Sequence, residues 1–348
     1  MLGLRLKSGS CFCTGSKVGL LCFVLLLVSS LAAAAAADST NTPAWPPPPA
    51  DPYVVYVGSI AQPADLGVQS APLRRFANWV TGASQTGGRL RTPFGLALDD
   101  AGNLLVTDTG AGVVCCLDRI RKKWRRWEQV GNIRFQCPVA IARQGQTFFV
   151  ADSALGKVIA FAESGKVQFE ITHGLERPSG LALLDGKLFI ADAQRQEIVV
   201  YDLHGSFLFK FGRRGAGLGE FNYPTHVAAD SVGSIYVTDA LNYRIQVFDA
   251  AGRFQRAFGS VGDGPGHFSR PKGVAADTSG HAYVVDALFD SVQIFDGQGR
   301  LLLNWGETGS SPGQFWLPNG IAISRDNQIY VADSYNHRIQ IFRYTGKP

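Results

Sequence analysis

One pattern recurs six times and constrains the fold more than any other feature of this chain. A proline opens a short apolar segment at Pro93, Pro138, Pro178, Pro224, Pro271 and Pro318, with spacings of 45, 40, 46, 47 and 47 residues. After each comes a β-type run that closes on an aspartate: Asp108, Asp152, Asp192, Asp239, Asp286 and Asp333. A third run follows, such as Arg244-Ile245-Gln246-Val247-Phe248, and then a fourth, as at Phe207 to Gly212, Phe254 to Gly259 and Leu301 to Gly306. Glycine-rich turns lead to the next proline, and no stretch of these units has a helical period. Four short strands per unit of 40–50 residues specify a β-propeller, and six anchors specify six blades. The expected fold is all-β, a six-bladed β-propeller of four-stranded blades.

The sixth unit runs out after its third strand, at Phe342. At the other end, Tyr53-Val54-Val55-Tyr56-Val57-Gly58 reads as an orphan fourth strand that ends in glycine, as the other fourth strands do. The N-terminal strand is therefore expected to complete the last blade. Closure would remove the open edge that a linear array exposes.

Residues outside the repeats have other tasks. Arg5, Lys7 and Lys17 precede an apolar stretch, Val18 to Leu31, and an alanine run to Ala37. Residues 1–37 therefore read as a secretory signal peptide, which implies export to a periplasmic or extracellular space. Retained, this stretch is long enough to act as a membrane anchor. Its removal takes three basic residues and no acidic ones, so a net charge of +5 becomes +2. Three of the six cysteines also leave, and Cys115, Cys116 and Cys137 remain. These allow one disulfide plus a free thiol, or serve as small buried apolar side chains. Adjacent residues on a strand point to opposite faces, so at most one of Cys115 and Cys116 can aim at Cys137. Residues 38–52 include Pro46 to Pro49 and read as a stiff polyproline II linker to a domain spanning 53–348. With 18% charged and 46% apolar residues, the chain is neither disordered nor a coiled coil.

The segments Asp239-Ala240-Leu241-Asn242-Tyr243-Arg244-Ile245-Gln246-Val247-Phe248 and Asp333-Ser334-Tyr335-Asn336-His337-Arg338-Ile339-Gln340-Ile341-Phe342 resemble NHL repeats. So do the turns Gly217 to Phe221 and Gly264 to Phe268. The resemblance covers residues 53–348 and is strongest in units four to six. It implies a six-bladed propeller and, most often, a binding platform. The family also includes RNA-binding and enzymatic members, and fold does not choose among them. In amidating-lyase relatives a catalytic metal sits on histidines from several blades. Here His173, His204, His267, His281 and His337 fall at scattered repeat positions, so the resemblance carries over no catalytic residue and no metal ligand, and no cofactor is expected.

Three groups of residues are candidates for chemistry. The six repeated aspartates suit a structural task, accepting turn N–H groups at a strand end. Arg244 and Arg338 can pair with Asp239 and Asp333, yet units one to three and five lack arginine there. That points to a ligand-facing role, shared with Asn242, Tyr243, Tyr335, Asn336 and His337 in the same loops. His226 stands where the other units have Gly95, Ala140, Gly180, Gly273 and Gly320, and reads as a channel-lining group or a packing substitution. Finally, Arg121, Lys122, Lys123, Trp124, Arg125, Arg126 and Trp127 fall on the outer strand of blade one. Charge interleaved with tryptophan suits an anionic partner, and the same charge also guards an edge strand. The expected function is an exported scaffold for a protein or an anionic envelope polymer, with export disfavouring nucleic acid. The alternative is a metal-dependent, lactonase- or lyase-like propeller enzyme acting on a small metabolite in the central channel.

Overall fold

The structure, a computed structural model, describes residues 42–68 and 88–346. The expected signal peptide, residues 1–37, lies outside the described residues. Six antiparallel sheets correspond to the six repeats. Blade one runs Pro93–Leu98, Leu104–Asp108, Val113–Asp118 and Lys123–Trp127 from axis to rim. Blades two to five repeat this order, with inner strands Pro138–Gln144, Pro178–Leu184, Pro224–Ala229 and Pro271–Ala276. In blade six, Ile321–Ile323, Gln328–Asp333 and Arg338–Tyr344 are followed outward by Val54–Ile60. Among the described residues the helical content is three single 3-10 turns, Pro63–Leu66, Ala240–Asn242 and Ser334–Asn336.

The core is not central. Each blade packs flat against the next, so its second and third strands are apolar on both faces, as in Leu104–Asp108 and Val113–Leu117, which are buried throughout. Outer strands such as Phe207–Phe211 cover less and alternate towards solvent. Six apolar clusters result, one between each pair of adjacent blades. Six open-ended blades would have five such layers. The sixth joins Leu104, Val106 and Cys115 of blade one to Tyr330, Ile339 and Ile341 of blade six, and Ile60 of the N-terminal strand lies in it.

Close approach near the axis explains the small residues there. A Cβ on Gly320 would sit 2.2 Å from the Phe94 carbonyl of the neighbouring blade. Glycine also ends the outer strands for a steric reason. Gly259 has φ +86, and a Cβ on it would strike the buried Phe268 ring at 2.2 Å.

The closing strand is a true fourth strand, but its end differs from the sequence expectation. Val54 pairs with Tyr344 and Ile60 with Ile339, with a register shift between Tyr56 and Gly58. Blades three to five have a shift at the same place, for example between Val247 and Phe248. The strand continues two residues past Gly58. Ile60 holds the register position of Phe211, Phe258 and Trp305, and is buried. Gly58 is therefore not the counterpart of Gly212, and Ala61 follows the strand where the others have glycine.

The linker also differs from a free polyproline spacer. Ala44–Trp45 pairs with Val54 and Val55 as a fifth strand, and residues 46–52 form the loop of this hairpin. The Tyr53 N–H donates to the Trp45 carbonyl at 2.7 Å. The Trp45 ring meets Phe342 edge-on with centroids 5.9 Å apart. Pairing of the Val54–Ile60 edge and packing of Trp45 against the buried Phe342 favour this cover over an extended tether.

Among the described residues, Cys115, Cys116 and Cys137 are all free thiols. As expected for adjacent strand residues, Cys115 faces the layer between blades six and one, and Cys116 the layer between blades one and two. Burial pushes their thiols up to about 12 and about 11 respectively, which suits packing rather than reactivity.

Removal of residues 42–60 is expected to lower the melting temperature by about 10 °C or more, because it strips a seven-residue ladder and the buried Val54 and Ile60. Calorimetry checks this, and an unchanged transition would contradict closure by this strand.

Candidate functional site

The loops that precede the inner strands and the loops that follow the six aspartates meet at one end of the blades. Every repeated aspartate is buried, at 1% exposure or less. Asp286 accepts the Ser269 N–H at 2.8 Å from the loop before its inner strand, and the Leu288 N–H at 3.0 Å from the loop after it. Asp152 does the same with Gln136 at 2.7 Å and Leu155 at 3.1 Å, and Asp108 and Asp192 repeat the scheme. Each carboxylate thus ties two loops together, and defines a clamp face on the ring.

In blades four and six, side chains replace some of those N–H groups. Asp239 Oδ2 receives Asn242 Nδ2 at 2.8 Å, Arg244 Nε at 2.8 Å and Gln246 Nε2 at 3.0 Å. Asp333 Oδ2 receives Asn336, Arg338 and Gln340 at 2.9, 2.7 and 3.0 Å. The second guanidinium nitrogen of Arg244 donates to the Gly217 and Glu220 carbonyls, and that of Arg338 to Ser311 and Gln314. Burial pushes the Asp239 and Asp333 carboxyls above their usual range, against these donors. Arg244, Arg338, Asn242 and Asn336 therefore hold loops through these bonds. Blades without the arginine satisfy the same oxygens with backbone N–H groups, which is why the arginine is absent there. Buried Gln246, Gln293 and Gln340 complete the network and were not singled out from sequence, though they share the seventh position after each aspartate.

Tyr243 and His337 close the 3-10 turns in left-handed conformation, with φ 55 and 58. The Tyr243 ring packs against the layer between blades four and five, and His337 Nδ1 contacts the Arg91 carbonyl of blade one. Tyr335 and His337 are the exposed members of this group, and the Tyr335 ring lies 5.7 Å from that of Trp316. Leu241 and Leu288 occupy the same repeat position as Tyr335 and are also exposed. Sequence reasoning missed them, yet the second position after each aspartate carried the signal.

His226 lies apart from these loops. Its ring stacks on Phe94 of the opposite blade, with centroids 6.1 Å apart and planes 19° apart. Both ring nitrogens are buried and unpartnered among the described residues. Burial, and then the charge of Lys272, push the imidazole down to about 3, so it is neutral near pH 7. His226 was singled out from the sequence, but its chain neighbour Thr225 and the nearby charge of Lys272 were not.

The basic strand of blade one is not a stacking platform. Trp127 packs against Phe148 and Phe161, with centroids 5.2 and 5.7 Å away, and Trp124 against the layer between blades six and one. Arg121 lies 3.7 Å from Asp118 and Arg126 3.0 Å from Glu128, and Arg125 pairs with Glu163. Lys122 and Lys123 have no ion pair among the described residues. Arg121, Lys123 and Arg125 line a groove of about 330 Å³ whose wall also carries Asp99, Asp118 and Glu163, so its charge is largely compensated.

A metal-dependent chemistry would need converging donors. Among the described residues no group of three or more His, Cys, Asp or Glu could hold a metal ion. The positions after the repeat prolines are Phe94, Val139, Ser179, Thr225, Lys272 and Asn319, with no carboxylate. These residues do not fit a divalent cation.

Two outcomes are expected. Arg244→Met and Arg338→Met should each destabilise the fold by about 1–3 kcal/mol in urea titrations, since each leaves a buried carboxylate and two carbonyls short of donors. A ligand-facing role alone would leave stability unchanged. For His226, the folded state binds fewer protons than the unfolded state between about pH 3 and 6.5. Stability must therefore fall as pH drops through that window. His226→Gln should flatten this fall by about 1 kcal/mol per pH unit. Identical acid limbs for the two proteins would place the imidazole in water.

With this geometry in place, comparison with known proteins is informative. Residues 315–342 match the NHL repeat. Residues 172–234 and 229–286 match a family described as a 6-bladed beta-propeller. No curated protein matches the chain. Similar solved structures include virginiamycin B lyase from Staphylococcus aureus, at 14% identity over 73% of this chain and 95% of that chain, TM-score 0.53. Hydrazine synthase of Kuenenia stuttgartiensis is 14% identical over 76% and 99%, TM-score 0.55. A chain of a nidogen/laminin complex is 19% identical over 70% and 86%, TM-score 0.52. At such identities these likenesses speak to fold alone. The repeat match, the second family match and the six closed blades together show a six-bladed β-propeller that carries an NHL repeat at residues 315–342.

Proposed function

We propose that this propeller is a binding scaffold, exported by its leader, that holds a protein partner on the clamp face of blades four to six. One observation carries the reading. The second residue after the clamp aspartate is Leu241, Leu288 and Tyr335 in three consecutive blades, exposed at 53%, 58% and 51%. Blades one to three have Gly110, Ala154 and Gln194 there. Trp316, 51% exposed and in tilted ring contact with Tyr335, extends the arc. These side chains stand on loops whose backbones are fixed by buried carboxylates, so they are presented without a large ordering cost. Clustered exposed apolar and aromatic groups on a rigid base are what a protein interface core uses.

Supporting it, one propeller of similar fold belongs to a nidogen/laminin complex, a protein assembly. The basic strand of blade one offers an anionic polymer less, because its tryptophans are turned inward and its arginines are paired.

A photo-crosslinker placed at Leu288 in cells should capture one discrete protein. The same group at Val232, exposed on the opposite face, should not. Replacing Leu241, Leu288, Trp316 and Tyr335 together with serine should weaken that complex by about 100-fold or more with the melting temperature nearly unchanged. Equal capture from both faces, or none from Leu288, would contradict the reading.

A further inference from the structure

The residues just after the repeat prolines open the inner strands; Phe94 is the first of them in blade one and His226 the second in blade four. Phe94 and His226 come from blades one and four, opposite members of a ring of six, and their rings stack. Their contact places both side chains at the axis. The two halves of the ring differ there. On one side stand Phe94, Val139 and Ser179, and the Ser179 hydroxyl is used, contacting the Ala191 and Pro224 carbonyls. On the other side stand Thr225, Lys272 and Asn319 from three successive blades.

That second half is polar and unsatisfied. Thr225 Oγ1, Asn319 Oδ1 and both His226 nitrogens are buried with no partner among the described residues. Thr225 is 7% exposed as a whole residue. The inner strands of these blades are held side by side. The Gly273 N–H donates to the Asn319 carbonyl at 3.0 Å, and the Thr238 hydroxyl to the Lys272 carbonyl at 2.7 Å. No ion pair engages Lys272 among the described residues. No acidic residue occupies either of the two positions after any repeat proline. Arg270, exposed beside the same strand, adds further positive charge.

Buried polar groups of native proteins are paired, and four polar atoms left unpaired at the inner strands of blades four and six, with Lys272 on the blade between them, call for a partner. The donors present are an ammonium, a hydroxyl, an imidazole N–H and, after a flip of its side-chain amide, the NH₂ of Asn319. All donate and one is cationic. We propose that the channel is a binding site for a small oxyanion, a carboxylate or phosphate group, held by Lys272, Thr225, His226 and Asn319. Phe94 covers the imidazole from the opposite blade and gives the site one apolar wall. Burial and the Arg270 charge push the Lys272 ammonium down to about 8, the mark of a cation lacking its counter-ion, and it still carries its proton at neutral pH. The site is distinct from the apolar arc on the loops and does not depend on it.

Titration calorimetry of the full chain tests this in a buffer free of oxyanions, with sodium chloride holding ionic strength constant. Sodium acetate and inorganic phosphate are the two probes, and whichever binds names the group. Wild type should bind one equivalent of at least one of them. Lys272→Met should weaken binding by about tenfold or more, and Thr225→Val by a few-fold, since each removes a donor to the anion. Lys166→Met, at an exposed lysine on another blade, should bind as wild type does. Lys272→Met removes a buried charge, and a thermal scan reports that it is folded. Should that variant unfold, Thr225→Val, which keeps shape and loses the hydroxyl, decides. No saturable binding of either probe to wild type, or equal affinity in the Lys272 and Thr225 variants, would overturn the proposal.

Discussion

The structure depends on burying both faces of every blade. A four-stranded sheet whose middle strands are apolar on both sides cannot stand at the end of a row, so the row must bend round and meet itself. Six apolar layers among six blades show that it does. The joint is made by the two chain ends. Val54–Ile60 lies on Arg338–Tyr344, and the strand of Ala44–Trp45 covers that edge in turn. Long-range pairing of this kind is slow to form but leaves no free interior edge once made.

Function sits on what closure leaves fixed. Six buried carboxylates tie the loops of one face, so exposed groups there stand on a rigid base rather than on mobile loops. Small residues near the axis bring the inner strands together until only specific side chains, Phe94 and His226 among them, fill the centre. The apolar arc and the cationic channel are thus two products of one frame, made by substitutions at fixed repeat positions in blades four to six.

Much of the frame could be read from the chain itself, because it rests on repetition. The prolines, the aspartates and the orphan strand at Tyr53 to Gly58 each recur at a set spacing, and β-sheet geometry turns spacing into place. What could not be read is where a repeat departs from its own rule. Gly58 looked like the terminal glycine of its strand, but a bulge near Val57 moves that role to Ile60. Arg244 and Arg338 looked optional because other blades lack them. In fact backbone N–H groups fill the same oxygens elsewhere, an equivalence visible only in three dimensions. Trp45 looked like part of a spacer, since nothing local shows that Phe342 waits 297 residues away. Lys272 drew no notice in the sequence, since only the closed ring brings its charge within reach of His226 on the preceding blade.

Amide hydrogen exchange gives the most direct measure of closure. If the N-terminal strand seals the ring, amides of residues 54–60 open only with the whole domain and exchange as slowly as those of 339–344. Exchange of 54–60 by faster local fraying, with 339–344 still protected, would mean that the ring holds without its seal and would contradict this account.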